Sequence, residues 1–176
     1  MANVKADSVP NPIDYDCNRF QIIIGEPIAG HSEVCDHLLT YWLHKRHGDR
    51  LPARADIHLH ELRRDAAHVA ILDIVRNTEH ACGFSLPVRL TGTTVVGHYG
   101  ERTGQDVCKM TDWGPGRRVC QMVQHMLVQR APVMSAVHGV SSELPFKDSF
   151  TLYLPLASDG ITVDKVLLVL DMRYQE

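Results

Sequence analysis

The sequence lacks any apolar run long enough to cross a membrane. No window reaches the ~18 consecutive apolar residues of a transmembrane helix. The first twenty residues also lack the apolar segment of a secretory signal peptide, because Asp7, Asp14 and Asp16 interrupt them. These two absences predict a cytoplasmic protein that has no membrane as a partner.

The sequence also lacks the cysteine patterns of disulfide-stabilised and zinc-ribbon proteins. Its five cysteines are widely spaced and odd in number, and no two of them form a C-x-x-C pair. They are Cys17, Cys35, Cys82, Cys108 and Cys120. Free cysteine is among the most frequently buried residue types, so we expect most of these side chains to be small members of the core.

An excess of positive charge is missing as well. The chain has 18 Lys and Arg residues against 21 Asp and Glu residues, which gives a formal net charge of -3. Nucleic-acid-binding proteins usually carry a basic face and a high isoelectric point, so this balance predicts no nucleic-acid partner. The motifs G-x-S-x-G, G-K-[ST] and H-E-x-x-H are also absent, and we therefore expect no enzymatic activity.

What is present is the composition of one ordinary globular domain. The chain has 176 residues, of which 44% are hydrophobic and 22% charged. Histidine is the exception, because eleven histidines suggest a metal site, a haem or pH sensing. His44 and His47 share one helix face, and His58 and His60 form an H-x-H pair. No third and fourth ligand can be identified for either pair, so the sequence predicts no metal site there.

Apolar residues at helical spacing predict two long helices. The first spans residues 33–47, and Ser32 is placed to cap its N-terminus. Its apolar stripe, which includes Leu38 and Trp42, needs a partner surface, either the sheet of the same chain or a second subunit. The second long helix spans residues 117–130 and ends before a proline.

Shorter helices are predicted between these two. Asp56 can cap a helix over residues 57–64. Residues 91–116 are rich in Gly and Thr and fit only short helical pieces, of which residues 93–99 are one.

The strand patterns complete an α+β protein. Residues 69–75 and 84–90 are predicted to form a hairpin. Three strands follow the second long helix, at residues 133–140, 150–156 and 161–171. The order of elements predicts a five-stranded antiparallel sheet with helices on one face and an N-terminal helical extension.

Two details refine this architecture. Pro155 cannot donate a hydrogen bond to a strand ladder, so it predicts an edge position or a bulge. The run Gln21–Ile24 can dock as a strand or an extended arm. The predicted divisions are a flexible tail at residues 1–20, the helical extension at residues 21–66 and the sheet domain at residues 67–176.

Four short motifs occur in order along the chain. They are Tyr41-Trp42 with Arg46, Pro52-Ala53-Arg54-Ala55-Asp56-Ile57, Arg89-Leu90-Thr91-Gly92-Thr93 after the strand Val69-Ala70-Ile71-Leu72-Asp73-Ile74, and Gly100-Glu101-Arg102-Thr103-Gly104. In this order they resemble a bacterial family of stand-alone PAS-like proteins, common in alphaproteobacteria and long described as a domain of unknown function. The resemblance covers residues 33–172. It implies a PAS fold in a regulatory protein, and it supplies neither a catalytic residue nor a defined ligand.

A ligand pocket is expected between the sheet and the helix at residues 117–130, because pockets combine apolar walls with a few placed polar groups. The predicted lining residues are Arg89, Tyr99, Val119, Met122, Val123, Met126, Val137, Leu152 and Leu154, with Trp113 as a candidate lid. The same apolar stripe would equally serve as a filled core, and both interpretations stay open. For a haem, the candidate ligands are His98 and His125.

These observations leave more than one function open. The first is a cytoplasmic PAS sensor or adaptor without a cofactor, which binds a small molecule or a signalling protein and acts in trans. It would form a homodimer through Leu38 and Trp42 of the first helix. The alternative is a PAS sensor that carries haem or flavin, and a small enzyme that uses the same pocket is a third hypothesis.

Overall fold

Groups of consecutive strands are separated by helices along the chain. A computed structural model describes residues 20–110, 114–139 and 147–174. Within them the strands are β1 (Phe20–Ile24), β2 (Val69–Asp73), β3 (Val75–Arg76), β4 (Phe84–Ser85), β5 (Val88–Thr91), β6 (Val133–Val137), β7 (Lys147–Leu156) and β8 (Lys165–Tyr174). The α-helices are α1 (Glu33–Lys45), α2 (Leu59–Leu62), α3 (Thr93–Tyr99) and α4 (Gly114–Gln129). Segments of 3-10 helix lie at Glu26–Ile28, Arg54–Asp56, Arg63–His68 and Val107–Lys109.

The main sheet is antiparallel and has the strand order β1-β6-β7-β8-β2-β5. The α+β fold class is therefore confirmed, but the sheet has six strands where five were predicted. The additional strand is β1, which pairs with β6 from Phe20 opposite Val137 to Ile24 opposite Val133. The apolar run Gln21–Ile24 thus docks as a strand, because β6 offers it an unpaired edge.

The predicted hairpin is present, but its second strand is broken in two. β2 pairs with β5 in the main sheet, whereas β3 and β4 form a separate two-stranded ribbon. The break falls at Pro87, which has no N–H to continue the ladder. The Pro87 carbonyl still accepts a hydrogen bond from the Asp73 N–H at 2.9 Å. The register of β2 against β5 shifts between Ile71 and Leu72 at the same point.

Pro155 lies in β7, an inner strand of the sheet, but at a position where β7 has no neighbour on the β6 side, in agreement with its predicted edge position. β7 is flanked by β6 and β8, but β6 pairs with it only as far as Val133 opposite Tyr153. Pro155 lies two residues beyond that pair, so its missing N–H removes no ladder hydrogen bond to β6. Its carbonyl instead accepts a hydrogen bond from Trp42 Nε1 at 2.9 Å.

Helices cover both faces of the sheet, which corrects the prediction of helices on one face. On the first face, here called the α1 face, α1 packs against β7 and β8 with Leu38 and Trp42 in the core. On the opposite face, called the α4 face, α4 packs against β6 and β7 with Met122, Val123 and Met126 in a second core.

The strand β8 shows how one sequence run serves both cores. Its residues Val166–Leu170 form a continuous apolar run and are buried throughout, as in a strand that is covered on both faces. Successive side chains of a strand point to opposite faces. Leu167 and Val169 accordingly belong to the core of the α1 face, whereas Leu168 and Leu170 belong to that of the α4 face.

The first long helix begins where its cap predicts. The Ser32 hydroxyl accepts a hydrogen bond from the Cys35 N–H at 3.1 Å, and it donates one to Asp171 at 2.8 Å. Leu38 and Trp42 are 1% and 0% exposed within a single chain. Their predicted role as dimer contacts is therefore corrected, because the chain's own sheet covers the stripe. The predicted extension at residues 21–66 thus supplies both β1 and the cover of the α1 face.

Several helix boundaries differ from prediction, and α1 ends at Lys45, two residues earlier than predicted. Asp56 does not cap the next helix, because its carboxylate accepts the Ala53 N–H at 2.8 Å inside the 3-10 segment Arg54–Asp56. α2 starts later and is shorter than predicted, at Leu59–Leu62. α4 starts earlier than predicted, at Gly114. Among the described residues, no helix has the length and apolar character needed to cross a membrane.

Candidate ligand cavity

An apolar cavity of about 60 Å³ lies inside the α4 face. Its walls come from β2, β5, β7 and β8 of the sheet, from α3, and from the first turns of α4. Most of the wall is aliphatic and includes Ala70, Leu72, Val88, Val95, Leu168 and Leu170. This volume is small beside the several hundred Å³ of most ligand pockets, so the core on this face contains a small void.

Two of the predicted pocket residues line this cavity. Tyr99 comes from the end of α3, and Val119 comes from α4. Met122, Val123 and Met126 are fully buried in the same core but lie deeper along α4 and do not border the cavity. The cavity is therefore located at the N-terminal end of α4, not along its middle.

The remaining predicted strand residues lie elsewhere. Leu152 and Leu154 belong to the core of the α1 face, on the opposite side of the sheet from the cavity. The residues of β7 that do line the cavity are the intervening Thr151 and Tyr153. Val137 is buried on β6 but does not border the cavity. The alternating leucines of β7 do not show which face of the strand borders the cavity, because a strand covered on both sides is buried on both faces.

Arg89 points away from the cavity and belongs to an ion cluster at the end of β2. Its Nε lies 2.5 Å from the Asp73 carboxylate, and Lys165 Nζ lies 3.2 Å from the other oxygen. Burial opposes ionisation of Asp73, but the hydrogen bonds from Arg89 and Lys165 outweigh it and hold the pKa of the Asp73 carboxyl below its usual range. Arg89 therefore fixes the end of the hairpin and does not orient a ligand.

Two arginines line the cavity, and neither was among the predicted lining residues. Arg102 donates a hydrogen bond to the Tyr99 carbonyl at 3.0 Å, whereas Arg118 is the buried one. The Arg118 side chain is only 3% exposed. Its Nε has no hydrogen-bond partner, and no acidic side chain pairs with it in the described parts of the chain. A buried charge without a partner is costly. Helical spacing could have revealed it, because Arg118 lies four residues before Met122 on the buried stripe.

Tyr153 supplies the second polar group of the wall. Its side chain is fully buried, and its hydroxyl has no hydrogen-bond partner. Burial raises the pKa of Tyr153 from 10.0 to about 12, although the nearby Arg118 guanidinium and Ser135 hydroxyl act in the opposite direction. The phenol therefore stays protonated at neutral pH and can donate a hydrogen bond.

The histidines that the sequence offered for haem do not border the cavity. His98 lies on α3, and His125 lies on the exposed side of α4. Burial lowers the pKa of His98 below its usual range. Among the described lining residues there is no histidine. The candidate lid Trp113 lies outside the described residues.

These observations define the class of the protein. It is a small α+β domain with an antiparallel sheet, helices on both faces of that sheet and a cavity inside the α4 face. A family model described as a PAS domain matches residues 31–170. The chain therefore belongs to the PAS domain family, whose members are sensory or signalling domains, and the resemblance of the motifs is confirmed. No curated protein and no solved structure matches the chain.

The motif residues that carried the resemblance build the fold. A Cβ atom at Gly92 would lie 2.4 Å from the Ala67 carbonyl oxygen, so only glycine permits this approach of β5 to the segment before β2. The Gly92 N–H donates to the Val69 carbonyl at 2.7 Å. In the last motif, the Glu101 carboxylate accepts the Thr103 N–H at 2.8 Å. These contacts give structural roles to Gly92, Glu101 and Thr103 within two of the four motifs.

Proposed function

We propose that this PAS domain senses a small anionic molecule in the cavity on the α4 face and relays its presence to a partner in trans, without catalysis. Arg118 is the observation that carries the proposal. A guanidinium that is buried, unpaired and placed on a cavity wall is matched by a carboxylate of the ligand, which would accept charge-assisted hydrogen bonds. The Tyr153 hydroxyl donates a further hydrogen bond to the same group.

The size of the cavity restricts the ligand to a few heavy atoms. A volume of about 60 Å³ accommodates a carboxylate with a short aliphatic substituent. Pockets for larger molecules are usually several hundred Å³, which is the scale that a flavin or a haem needs. The aliphatic wall favours a compact apolar substituent over a second charged group.

Ligand binding would be transmitted through the elements that enclose the cavity. Tyr99 and Gly100 at the end of α3, and Pro115 at the start of α4, all belong to the wall. A ligand that pairs with Arg118 draws these helix ends together, because it neutralises a charge that otherwise keeps the wall incompletely packed. A partner protein, or a second copy of the chain, reads this change at the surface above the cavity.

The test is ligand-dependent thermal stability of the full chain. Acetate, propionate, lactate and pyruvate are titrated beside their neutral amides. A ligand at 100 times its Kd stabilises by about 2.7 kcal/mol, which corresponds to an increase in Tm of roughly 5–10 °C for a chain of this size. We expect the increase with carboxylates and not with amides, and we expect Arg118→Met to abolish it.

Arg117→Met is the matched control, because Arg117 is the neighbouring exposed arginine of the same helix. This variant should keep the full carboxylate response. Equal responses to acids and amides, or a response that survives Arg118→Met, would contradict the proposal. A coloured protein that retains haem or flavin through purification would replace it with the cofactor-carrying alternative.

A further inference from the structure

Three cysteines that are distant in sequence meet at one point of the structure. Cys82 precedes β4, Cys108 lies in the 3-10 segment Val107–Lys109, and Cys120 lies on α4. The sulfur of Cys108 is 3.0 Å from that of Cys120 and 3.6 Å from that of Cys82. All three sulfur atoms lie within 4.8 Å of one another. The sequence could not show this, because no two of the three are close neighbours in the chain.

The spacing of these sulfur atoms is close to that of a metal site. Zinc–sulfur bonds of ~2.3 Å in a tetrahedron place neighbouring sulfur atoms about 3.8 Å apart. The separation of Cys82 and Cys108 is already close to this value, at 3.6 Å. The separation of Cys108 and Cys120 would have to widen from 3.0 Å, which is less than 1 Å of movement. Three thiolates would thus form one face of a tetrahedral site.

The fourth coordination position has access to solvent. The cluster lies in an open depression of about 570 Å³, which is separate from the ligand cavity. His80 and Arg117 lie in this depression, together with Glu79. Three thiolates and one divalent ion carry a net charge of -1, and Arg117 is the cation placed to offset it.

The loop that carries Cys108 is held in position by Asp106. One carboxylate oxygen of Asp106 accepts the Cys108 N–H at 3.0 Å and the Leu86 N–H at 2.8 Å. The other oxygen lies 3.2 Å from His80 Nε2. Burial opposes ionisation of Asp106, but these contacts outweigh it and hold its pKa below the usual range. The backbone at Cys108 is therefore held in place by Asp106 before any metal binds.

We propose that Cys82, Cys108 and Cys120 bind one zinc ion or a similar thiophilic divalent metal ion, with water in the fourth position. In the metal-free state, folding favours the protonated thiol at Cys82 and Cys108. A hydrogen bond from Cys120 together with burial raises the pKa of Cys108, and burial raises that of Cys82. On binding, each thiol releases its proton to solvent and donates a sulfur electron pair to the metal. The reaction needs no oxidant, and the site is independent of the proposed ligand cavity.

Cobalt(II) is the probe for this site, because its thiolate complexes absorb light. The full chain, without a polyhistidine tag, is reduced, freed of metal and titrated with Co²⁺. We expect a sulfur-to-cobalt charge-transfer band that saturates at one equivalent and disappears when Zn²⁺ is added. We expect Cys108→Ser to weaken binding by more than about 100-fold, since the loss of a mere supporting group already costs 10–100-fold.

Two control variants accompany this titration. Cys35→Ala changes a buried cysteine of the other core, and Cys17→Ser removes the remaining cysteine of the chain. Both variants should bind cobalt like the unmodified chain. Absence of the charge-transfer band, or a band that survives Cys108→Ser, would overturn the proposal.

A second measurement uses the unmodified chain and so does not depend on how a variant folds. Native alkylation followed by peptide mass mapping should show that Zn²⁺ protects Cys82, Cys108 and Cys120 and leaves the labelling of Cys35 unchanged. Labelling of the three that is indifferent to Zn²⁺ would refute the site. So would a Cys108–Cys120 disulfide without metal in protein isolated under non-reducing conditions.

Discussion

The two faces of the sheet are built from the same strands but differ in how their polar groups are satisfied. On the α1 face, the indole N–H of Trp42 donates to the Pro155 carbonyl, and the Ser32 hydroxyl donates to Asp171. On the α4 face, the buried Arg118 Nε and Tyr153 hydroxyl lack partners beside a cavity. Ser135 and Ser149 share the strand parity of Tyr153, and their buried hydroxyls also lack partners.

This difference indicates that the α1 face serves the stability of the fold, whereas the α4 face serves ligand binding. Buried polar groups in folded proteins are normally hydrogen-bonded, and each exception calls for an explanation. The cavity and the unpaired polar groups of the α4 face lower the free energy of unfolding. A ligand of complementary chemistry would raise it again. Among the described residues, the α1 face has one such unpaired atom, the Nε of Arg46 over the Trp42 ring, and its core is filled by large side chains that include Leu38 and Trp42. The following predictions test this contrast, in order of decreasing effect.

Trp42→Ala should destabilise the chain most, by about 3–5 kcal/mol, because it empties a fully buried site and leaves the Pro155 carbonyl unpaired. Urea unfolding measures this change. Leu43→Ala is the control on the same helix, since Leu43 is 49% exposed and its truncation should cost less than about 1 kcal/mol. Equal losses of unfolding free energy in the two variants would contradict the tight packing of the α1 face around Trp42.

Arg118→Met should raise the free energy of unfolding, whereas Trp42→Ala lowers it. In the absence of ligand we expect it to stabilise the chain by about 1–3 kcal/mol, because an unpaired buried charge is replaced by an apolar side chain of similar length. Differential scanning calorimetry with Arg117→Met as the neutral comparison measures this gain. A lower Tm for Arg118→Met would show that the guanidinium has a structural partner, and the contrast between the faces would then fail.

Tyr153→Phe should have a small effect that depends on pH. The pKa of Tyr153 is about 12 in the folded chain against 10.0 when unperturbed. Because folding raises this pKa, burial of the protonated phenol contributes fully to the free energy of unfolding below pH 10. This contribution is lost as the pH rises toward 12. Between pH 10 and 11 the unmodified chain should lose roughly 1 kcal/mol more unfolding free energy than Tyr153→Phe does. Identical pH profiles would place the phenol in contact with solvent.

Much of the fold could be predicted because its signals are local. The cap at Ser32, the helix Thr93–Tyr99 and the run Val166–Leu170 depend on neighbouring residues alone. The assignment of side chains to faces could not be predicted in the same way, since Leu152 and Thr151 are both buried. A strand covered on two sides gives no polar-apolar alternation that identifies its inner face.

The candidate sites depended on contacts that sequence spacing does not record. Val119 could be found because it belongs to the apolar stripe of α4, and Tyr99 because a pocket needs a few polar groups beside its apolar wall. Arg118 was passed over because a charged residue interrupts an apolar pattern, although it occupies a buried position of that pattern. The three cysteines come from a turn, a 3-10 segment and a helix, and only the folded chain brings their sulfur atoms together.

The strand β1 bears on where this domain can be cut. The family match begins at residue 31, whereas β1 pairs with β6 through Phe20–Ile24. A fragment that starts at the family boundary would expose the full length of β6 as an open sheet edge. Open edges recruit strands from other molecules and lead to aggregation. For expression and for fusion to other proteins, the practical unit therefore begins before residue 20, ahead of the boundary that similarity alone would set.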